Sequence, residues 1–122
     1  MALSKADLSA FVAHARQQQA RDRRHSYERQ QAGMIQAHLA AKTLKQQFGV
    51  REVFLFGSLL TPERVDEHSD IDLAVYGLPL EQYCQAVGTL LCQVKGFEVD
   101  LVRCEAAQPS LLELIHQEGI RL

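Results

Sequence analysis

The chain has 122 residues, 47% of them hydrophobic and 23% charged, which is enough for one domain with a modest core. Its formal net charge of −2 argues against bulk electrostatic binding of nucleic acid, because domains that bind in this way are usually clearly basic. The three cysteines form no CxxC pair, which indicates reduced thiols. The sequence also shows no signal-peptide layout and no apolar run of membrane-spanning length. We therefore expect a cytoplasmic protein with no membrane contact.

The first 48 residues have the composition of helix. They hold one glycine and no proline, and they are rich in Ala, Gln and Arg. Ser4, three residues ahead of Asp7, resembles a helix N-cap, and Gly49 predicts the C-terminal end. The pattern leaves open one long helix or two helices meeting near residues 21–25.

Two apolar stripes flank the polar middle of this segment. They consist of Leu8, Phe11, Val12 and Ala15, and of Met34, Ile35, Leu39 and Leu44. The second stripe runs directly into the first strand and is expected to pack on the sheet. The first has no obvious place there, so we expect it to contact a second copy or a partner. The arginines between them, Arg21, Arg23, Arg24 and Arg29, form either a partner-binding face or the solvated side of a helix.

From residue 50 onward, strands alternate with helices. Strands are predicted at 53–56, 70–75 and 97–102, and helices at 59–65, 80–95 and 110–118. In the middle helix Tyr83, Val87, Leu91 and Val94 should face inward, and Ser110 with Glu113 suggests a capping box. This order predicts an α/β (α+β) fold, a small mixed β-sheet with helices packed on it.

Acidic residues alternate with apolar ones on the second strand. Asp70 and Asp72 should present adjacent carboxylates, because residues two apart in a strand point to the same face. They could be a solvated strand face, but Asp is depleted within strands. Two such carboxylates repel each other unless a cation compensates, and Mg²⁺ prefers their hard oxygen ligands. We therefore expect a metal site, with at least one carboxyl of raised pKa while the metal is absent.

Two further features complete the predicted site. Asp100 should lie on the polar face of the third strand, which could neighbour the strand of Asp72. Three carboxylates on adjacent strands meet the requirement of two-metal phosphoryl transfer. Gly57 and Ser58 lie between a strand and the next helix, so the backbone there could approach a phosphate.

These residues resemble the signature of the polymerase-beta-like nucleotidyltransferases, and the short chain resembles their minimal branch. The signature is a hydrophobic strand, Gly-Ser, a spacer, Ser-Asp-x-Asp and a later strand Asp, here Leu55 to Ser58, Ser69 to Asp72, and Asp100. Many relatives carry a basic residue just after Gly-Ser, where this chain has Leu59 and Leu60. Arg64 is then the nearest candidate for phosphate contact. The resemblance places the nucleotidyltransferase domain at residues 34–122, after an N-terminal helical extension at residues 1–33.

The same resemblance implies an activity and a partner. Asp70, Asp72 and Asp100 would bind Mg²⁺, with two ions expected and Mn²⁺ possible, while Gly57, Ser58 and Arg64 would bind the phosphates of ATP or another triphosphate. The minimal branch often pairs with a helical HEPN toxin and neutralises it by transferring AMP to a tyrosine, which would make this chain the antitoxin. Two alternatives are a non-catalytic antitoxin or binding module with a relic site, and transfer to a small hydroxylated molecule such as an aminoglycoside.

Overall fold

The fold is known from a computed structural model, which describes residues 4–122. Helix α1 (Lys5–Phe48) precedes strand β1 (Glu52–Phe56), and strand β2 (Ile71–Tyr76) precedes helix α2 (Leu80–Gln93). Strand β3 (Val99–Arg103), helix α3 (Pro109–Glu118) and strand β4 (Ile120–Arg121) complete the chain. Three single-turn 3₁₀ helices, Ser58–Leu60, Pro62–Arg64 and Cys104–Ala106, lie in the connections. The predicted mixed α/β architecture is confirmed.

Helix α1 is one continuous helix of 44 residues, so the one-helix alternative is correct. The side chain of Ser4 accepts a hydrogen bond from the backbone N–H of Asp7 (3.1 Å), which satisfies a free donor at the helix start. Gly49 ends the helix in the left-handed conformation, with φ of +67°. The helix crosses the predicted boundary between residues 33 and 34 without a break, and that division of the chain stays a prediction.

The four strands form one mixed sheet in the order β3-β2-β1-β4. β1 pairs antiparallel with β2 and with β4, whereas β2 and β3 are parallel. The parallel pair needs a crossover connection, and α2 supplies it. The parallel register places Asp72 directly beside Asp100.

Each face of the sheet carries part of the apolar core. α1 and α2 cover the face that bears Val53, Leu55, Leu73 and Leu101, and they contribute small or branched residues such as Ala37, Ala40, Leu44, Ala86 and Leu90. α3 covers part of the opposite face, where Ile115 packs with Ala74 and Cys104. Asp72 lies on this second face, because it is two residues before Ala74 in β2. The site is therefore on the side of the sheet that α1 and α2 do not cover.

Several sequence-based predictions are wrong in detail. Leu91 of α2 is exposed, as are Ile35 and Leu39 of α1, because the buried face of each helix is displaced around its axis from the predicted stripe. The predicted helix at 59–65 is replaced by two 3₁₀ turns. Pro62 explains this break, because a proline disfavours helical geometry in the preceding residue, and Thr61 is extended.

The two ends of the last helical region also differ from prediction. α3 begins with Pro109 in its first turn and Gln108 at its N-cap, so Ser110 is inside the helix and forms no capping box. After Gly119 the chain adds β4 to the free edge of β1, a two-residue strand that was not predicted. No helix within residues 4–122 combines the length and apolar character needed to cross a bilayer.

The first half of α1, residues 5–28, is here called the arm; it is exposed apart from half-buried Ala15 and Ser26, and its last residues line a cavity with Pro62 and Glu63. Leu8, Phe11 and Val12 are exposed on it. We expect deletion of residues 1–20 to change the free energy of unfolding by less than about 0.5 kcal/mol, because only surface contacts are lost. Chemical denaturation checks this, and the mass in solution tests whether the first stripe mediates association.

The matched control is deletion of residues 1–33, which also removes Arg29, whose guanidinium contacts two loops of the domain. That longer deletion should lower the stability clearly. If the shorter one instead unfolds the protein, the first stripe belongs to the core and the expected surface role is wrong.

Candidate active site

Asp72 and Asp100 form the centre of the site. They are register partners on the adjacent parallel strands β2 and β3, so both side chains point to the same face of the sheet. Asp72 is partly buried and Asp100 is exposed. One carboxylate therefore sits inside the site, while the other is on its open side.

The pKa of the Asp72 carboxyl is raised from 3.8 to about 6. Burial is the largest cause, followed by the negative charges of Asp100 and Asp70 and by a hydrogen bond between the Asp72 and Asp100 side chains. The expectation of a raised carboxyl pKa is therefore confirmed, although burial contributes more than like charge. A positive ion at this position would relieve both effects.

Asp70 lies one residue before β2 rather than inside it. It is close enough to raise the pKa of Asp72, and it also lines a cavity of about 520 Å³ with His68 and Glu98 at the start of β2 and β3. Within residues 4–122, no three acidic, histidine or cysteine side chains already stand close enough together to hold a metal ion. The hard carboxylate oxygens of Asp72 and Asp100 and their uncompensated charge nevertheless fit a divalent cation.

Gly57 brings the backbone directly against Asp72. Its φ of +84° lies in a region that favours glycine, and a side chain at this position would overlap the Asp72 carboxylate. Ser58 begins the 3₁₀ turn Ser58–Leu60 next to it. The Gly57–Ser58 turn thus lies beside Asp72, but a single 3₁₀ turn replaces the predicted helix, so the helix-dipole argument for phosphate binding no longer applies.

The loop before Asp70 is held by its own side chains. Ser69, which belongs to the sequence signature, is buried, and its hydroxyl accepts a hydrogen bond from the backbone N–H of Asp66 (2.9 Å). The Asp66 carboxylate in turn accepts one from the N–H of His68 (2.8 Å). The signature serine therefore shapes the loop that leads to Asp70.

Arg64 is the least supported member of the predicted set. It is exposed in the 3₁₀ turn Pro62–Arg64, and its guanidinium makes no hydrogen bond or ion pair to any of the residues from 4 to 122. No contact in the structure favours a role of Arg64 in phosphate binding. Its phosphate role stays a prediction.

An acidic pair on adjacent strands beside a Gly-Ser turn, on a small mixed sheet, is typical of domains that carry out metal-dependent phosphoryl transfer. The family model described as "Polymerase beta, Nucleotidyltransferase" matches residues 40–122. This match covers more than half of the chain, which therefore belongs to the polymerase beta nucleotidyltransferase family. Members of this family generally use divalent metals.

Solved structures with the same fold come from toxin-antitoxin pairs. One is the tri-AMPylated Shewanella oneidensis HEPN toxin in complex with MNT antitoxin, with 22% identity and a TM-score of 0.56 over 73% of this chain and 70% of that one. Another is the toxin-antitoxin MntA-HepT, with 22% identity and a TM-score of 0.56 over 72% and 69%. A toxin-antitoxin structure with AMP-PNP shows 23% identity and a TM-score of 0.56 over 67% and 68%. These likenesses establish the shared fold, and no curated relative matches the sequence.

The raised pKa of Asp72 predicts a pH dependence of stability in the metal-free protein. A carboxyl whose pKa is raised from 3.8 to about 6 binds its proton more tightly in the folded protein, so the stability that Asp72 contributes is complete below pH 4 and is lost as the pH rises through 6. Between pH 7 and pH 5, the wild type should gain about 1 kcal/mol relative to Asp72→Asn, after allowing for solvent screening at this partly exposed group. Denaturant titrations in a chelator check this. Equal pH profiles for the two proteins would contradict it.

Proposed function

We propose that this chain is a Mg²⁺-dependent adenylyltransferase that transfers AMP from ATP to a tyrosine hydroxyl of a HEPN-type toxin, acting in the cytoplasm as the antitoxin. The observation that carries the proposal is the Asp72–Asp100 pair opposite the Gly57–Ser58 turn, in a chain of the nucleotidyltransferase family. Two structural neighbours support the chemistry, because one contains an AMPylated HEPN toxin and another contains AMP-PNP.

The metal ligands would be Asp70, Asp72 and Asp100. Asp72 would be the middle ligand, because burial and the negative charges of the other two disfavour its ionised form when no cation is bound. Two Mg²⁺ ions bound there would lower the pKa of the acceptor hydroxyl and neutralise charge on the triphosphate. The Gly57–Ser58 turn would receive the phosphates through its backbone, since glycine leaves that approach open. Arg64 would add a positive charge from the neighbouring turn.

The reaction exchanges one phosphorus–oxygen bond for another. The acceptor oxygen bonds to the α-phosphorus of ATP while the bond from that phosphorus to the pyrophosphate oxygen breaks, and pyrophosphate leaves. The proton of the hydroxyl needs an acceptor, and Asp100 offers an exposed carboxylate on the open side of the pair. Asp72 lies partly buried beside Asp100, and the parallel register of β2 and β3 fixes the positions of the two residues relative to each other.

Incubating the pure protein with ATP, Mg²⁺ and the product of the neighbouring gene, the proposed partner, tests the proposal. Intact-mass spectrometry should show the partner gaining one or more AMP units on tyrosine, with pyrophosphate as the second product. If the partner is bound and inhibited without any mass gain, the chain is a binding module. AMP transfer to an aminoglycoside but not to the partner would replace the acceptor class.

A further inference from the structure

Arg29 was assigned from sequence to a partner-binding or solvated face, but its guanidinium faces the domain. Its Nε donates a hydrogen bond to the carbonyl of Asp66 (2.6 Å), and its Nη2 donates to the carbonyls of Glu67 (3.2 Å) and Gly96 (3.1 Å). The same guanidinium lies 4.1 Å from the ring centroid of Phe97. Hydrogen bonds from a charged donor are roughly twice as strong as neutral ones, so this is a firm connection.

These carbonyls belong to the two loops that deliver the acidic residues. Asp66 and Glu67 lie four and three residues before Asp70, while Gly96 lies four residues before Asp100. The loops are also linked to each other, since the N–H of Ile71 donates to the carbonyl of Glu98 (2.9 Å). The Arg29 side chain therefore connects the two loops that lead into β2 and β3.

The next residues of α1 reach the third segment of the site. Gln30 donates from Nε2 to the carbonyl of Leu59 (3.0 Å), in the turn that follows Gly57. Gly33 is buried, and a methyl group there would press on both Leu59 and Phe97, at 2.7 Å and 3.2 Å. The absence of a side chain thus lets α1 approach both segments closely.

We infer that Arg29, Gln30 and Gly33 form a positioning turn that fixes the Gly57–Leu60 segment and the loops before Asp70 and Asp100 relative to one another. The inference rests on the proposed function, since it assigns these residues to the geometry of that site. α1 packs on the sheet face opposite Asp72, and Arg29, although it lines the cavity that Asp70 also lines, contacts the loops rather than the acidic pair. All three precede residue 40, where the family match begins, so they are a feature of this chain outside the matched region.

The sharpest test is Arg29→Lys, with Arg24→Lys as the matched control. Lysine keeps the charge but lacks the planar fork that reaches three carbonyls, whereas Arg24 is exposed on the arm. Below the melting temperature of both variants, we expect Arg29→Lys to lower kcat for AMP transfer by about tenfold or more, with the KM for ATP within about twofold, because small displacements of reacting groups are costly. A purely structural role would lower the melting temperature and leave kcat unchanged, and that result would overturn the inference.

Gln30→Ala is a second variant in case Arg29→Lys does not fold, with exposed Gln31→Ala as its control. It removes one hydrogen bond and should lower kcat by about threefold relative to Gln31→Ala. If the wild type transfers no AMP, the proposed function fails and amide hydrogen exchange decides the inference alone. Exchange in residues 66–70 and 96–98 should then be faster in Arg29→Lys than in Arg24→Lys, and equal exchange would overturn the positioning turn.

Discussion

Replacing Asp72 with Asn should lower the rate of AMP transfer by about a thousandfold or more, which corresponds to about 4 kcal/mol of barrier. The substitution keeps the shape of the side chain but removes the negative charge at the centre of the proposed metal site. The steady-state rate with ATP, Mg²⁺ and the toxin partner measures the effect. Asp22→Asn on the exposed arm makes the same change in net charge and should keep wild-type activity.

The same substitution should leave the fold intact and abolish its response to metal. In the wild type, millimolar Mg²⁺ or Mn²⁺ should raise the melting temperature, because an ion that binds only the folded state stabilises it by mass action. Asp72→Asn should show no such rise, and at pH 7 without metal it should be at least as stable as the wild type, since a partly buried charge with a raised pKa has been removed. A wild type that does not respond to either metal would contradict the assigned site.

The sheet and the acidic pair could be predicted because they depend on local periodicity. Alternation along β2 and β3 assigns Asp72 and Asp100 to a polar face whatever the exact strand ends are, and the parallel register then makes them neighbours. The caps Ser4 and Gly49 were equally local signals, and both are confirmed. Asp70 was harder to place, because a shift of one residue at the start of β2 moves it from the strand into the loop.

The parts that could not be predicted depend on distant contacts. Arg29 donates hydrogen bonds to carbonyls that lie 37, 38 and 67 residues further along the chain. The spacing of residues within α1 contains no signal for such contacts. Leu91 points outward because Ala86 and Leu90 are the α2 residues that are buried in the structure. Helical periodicity alone does not determine which apolar residues of α2 face the sheet. Pro62 was a local signal for the break in the predicted helix at 59–65, and its restriction of Thr61 explains that miss.

Gly57→Ala should both destabilise the protein and inactivate it. Gly57 combines φ of +84° with ψ of −159°, a backbone region that is essentially restricted to glycine. Forcing alanine into it costs about 2–3 kcal/mol in the free energy of unfolding. The added methyl group would also displace the Asp72 carboxylate, so AMP transfer should fall by about a hundredfold even at temperatures where the variant is folded.

Two other glycines of the same chain separate backbone strain from the clash with Asp72. Gly49 has φ of +67° with open space around it, so Gly49→Ala should lose only about 1 kcal/mol and keep its activity. Gly88 lies inside α2, also with open space, and Gly88→Ala should gain about 0.5–1 kcal/mol through helix propensity. Thermal denaturation should therefore rank Gly88→Ala above the wild type, then Gly49→Ala, then Gly57→Ala. If Gly49→Ala loses as much activity as Gly57→Ala, strain in the fold rather than contact with Asp72 explains the inactivation, and the Gly57–Ser58 turn has no special place in the site.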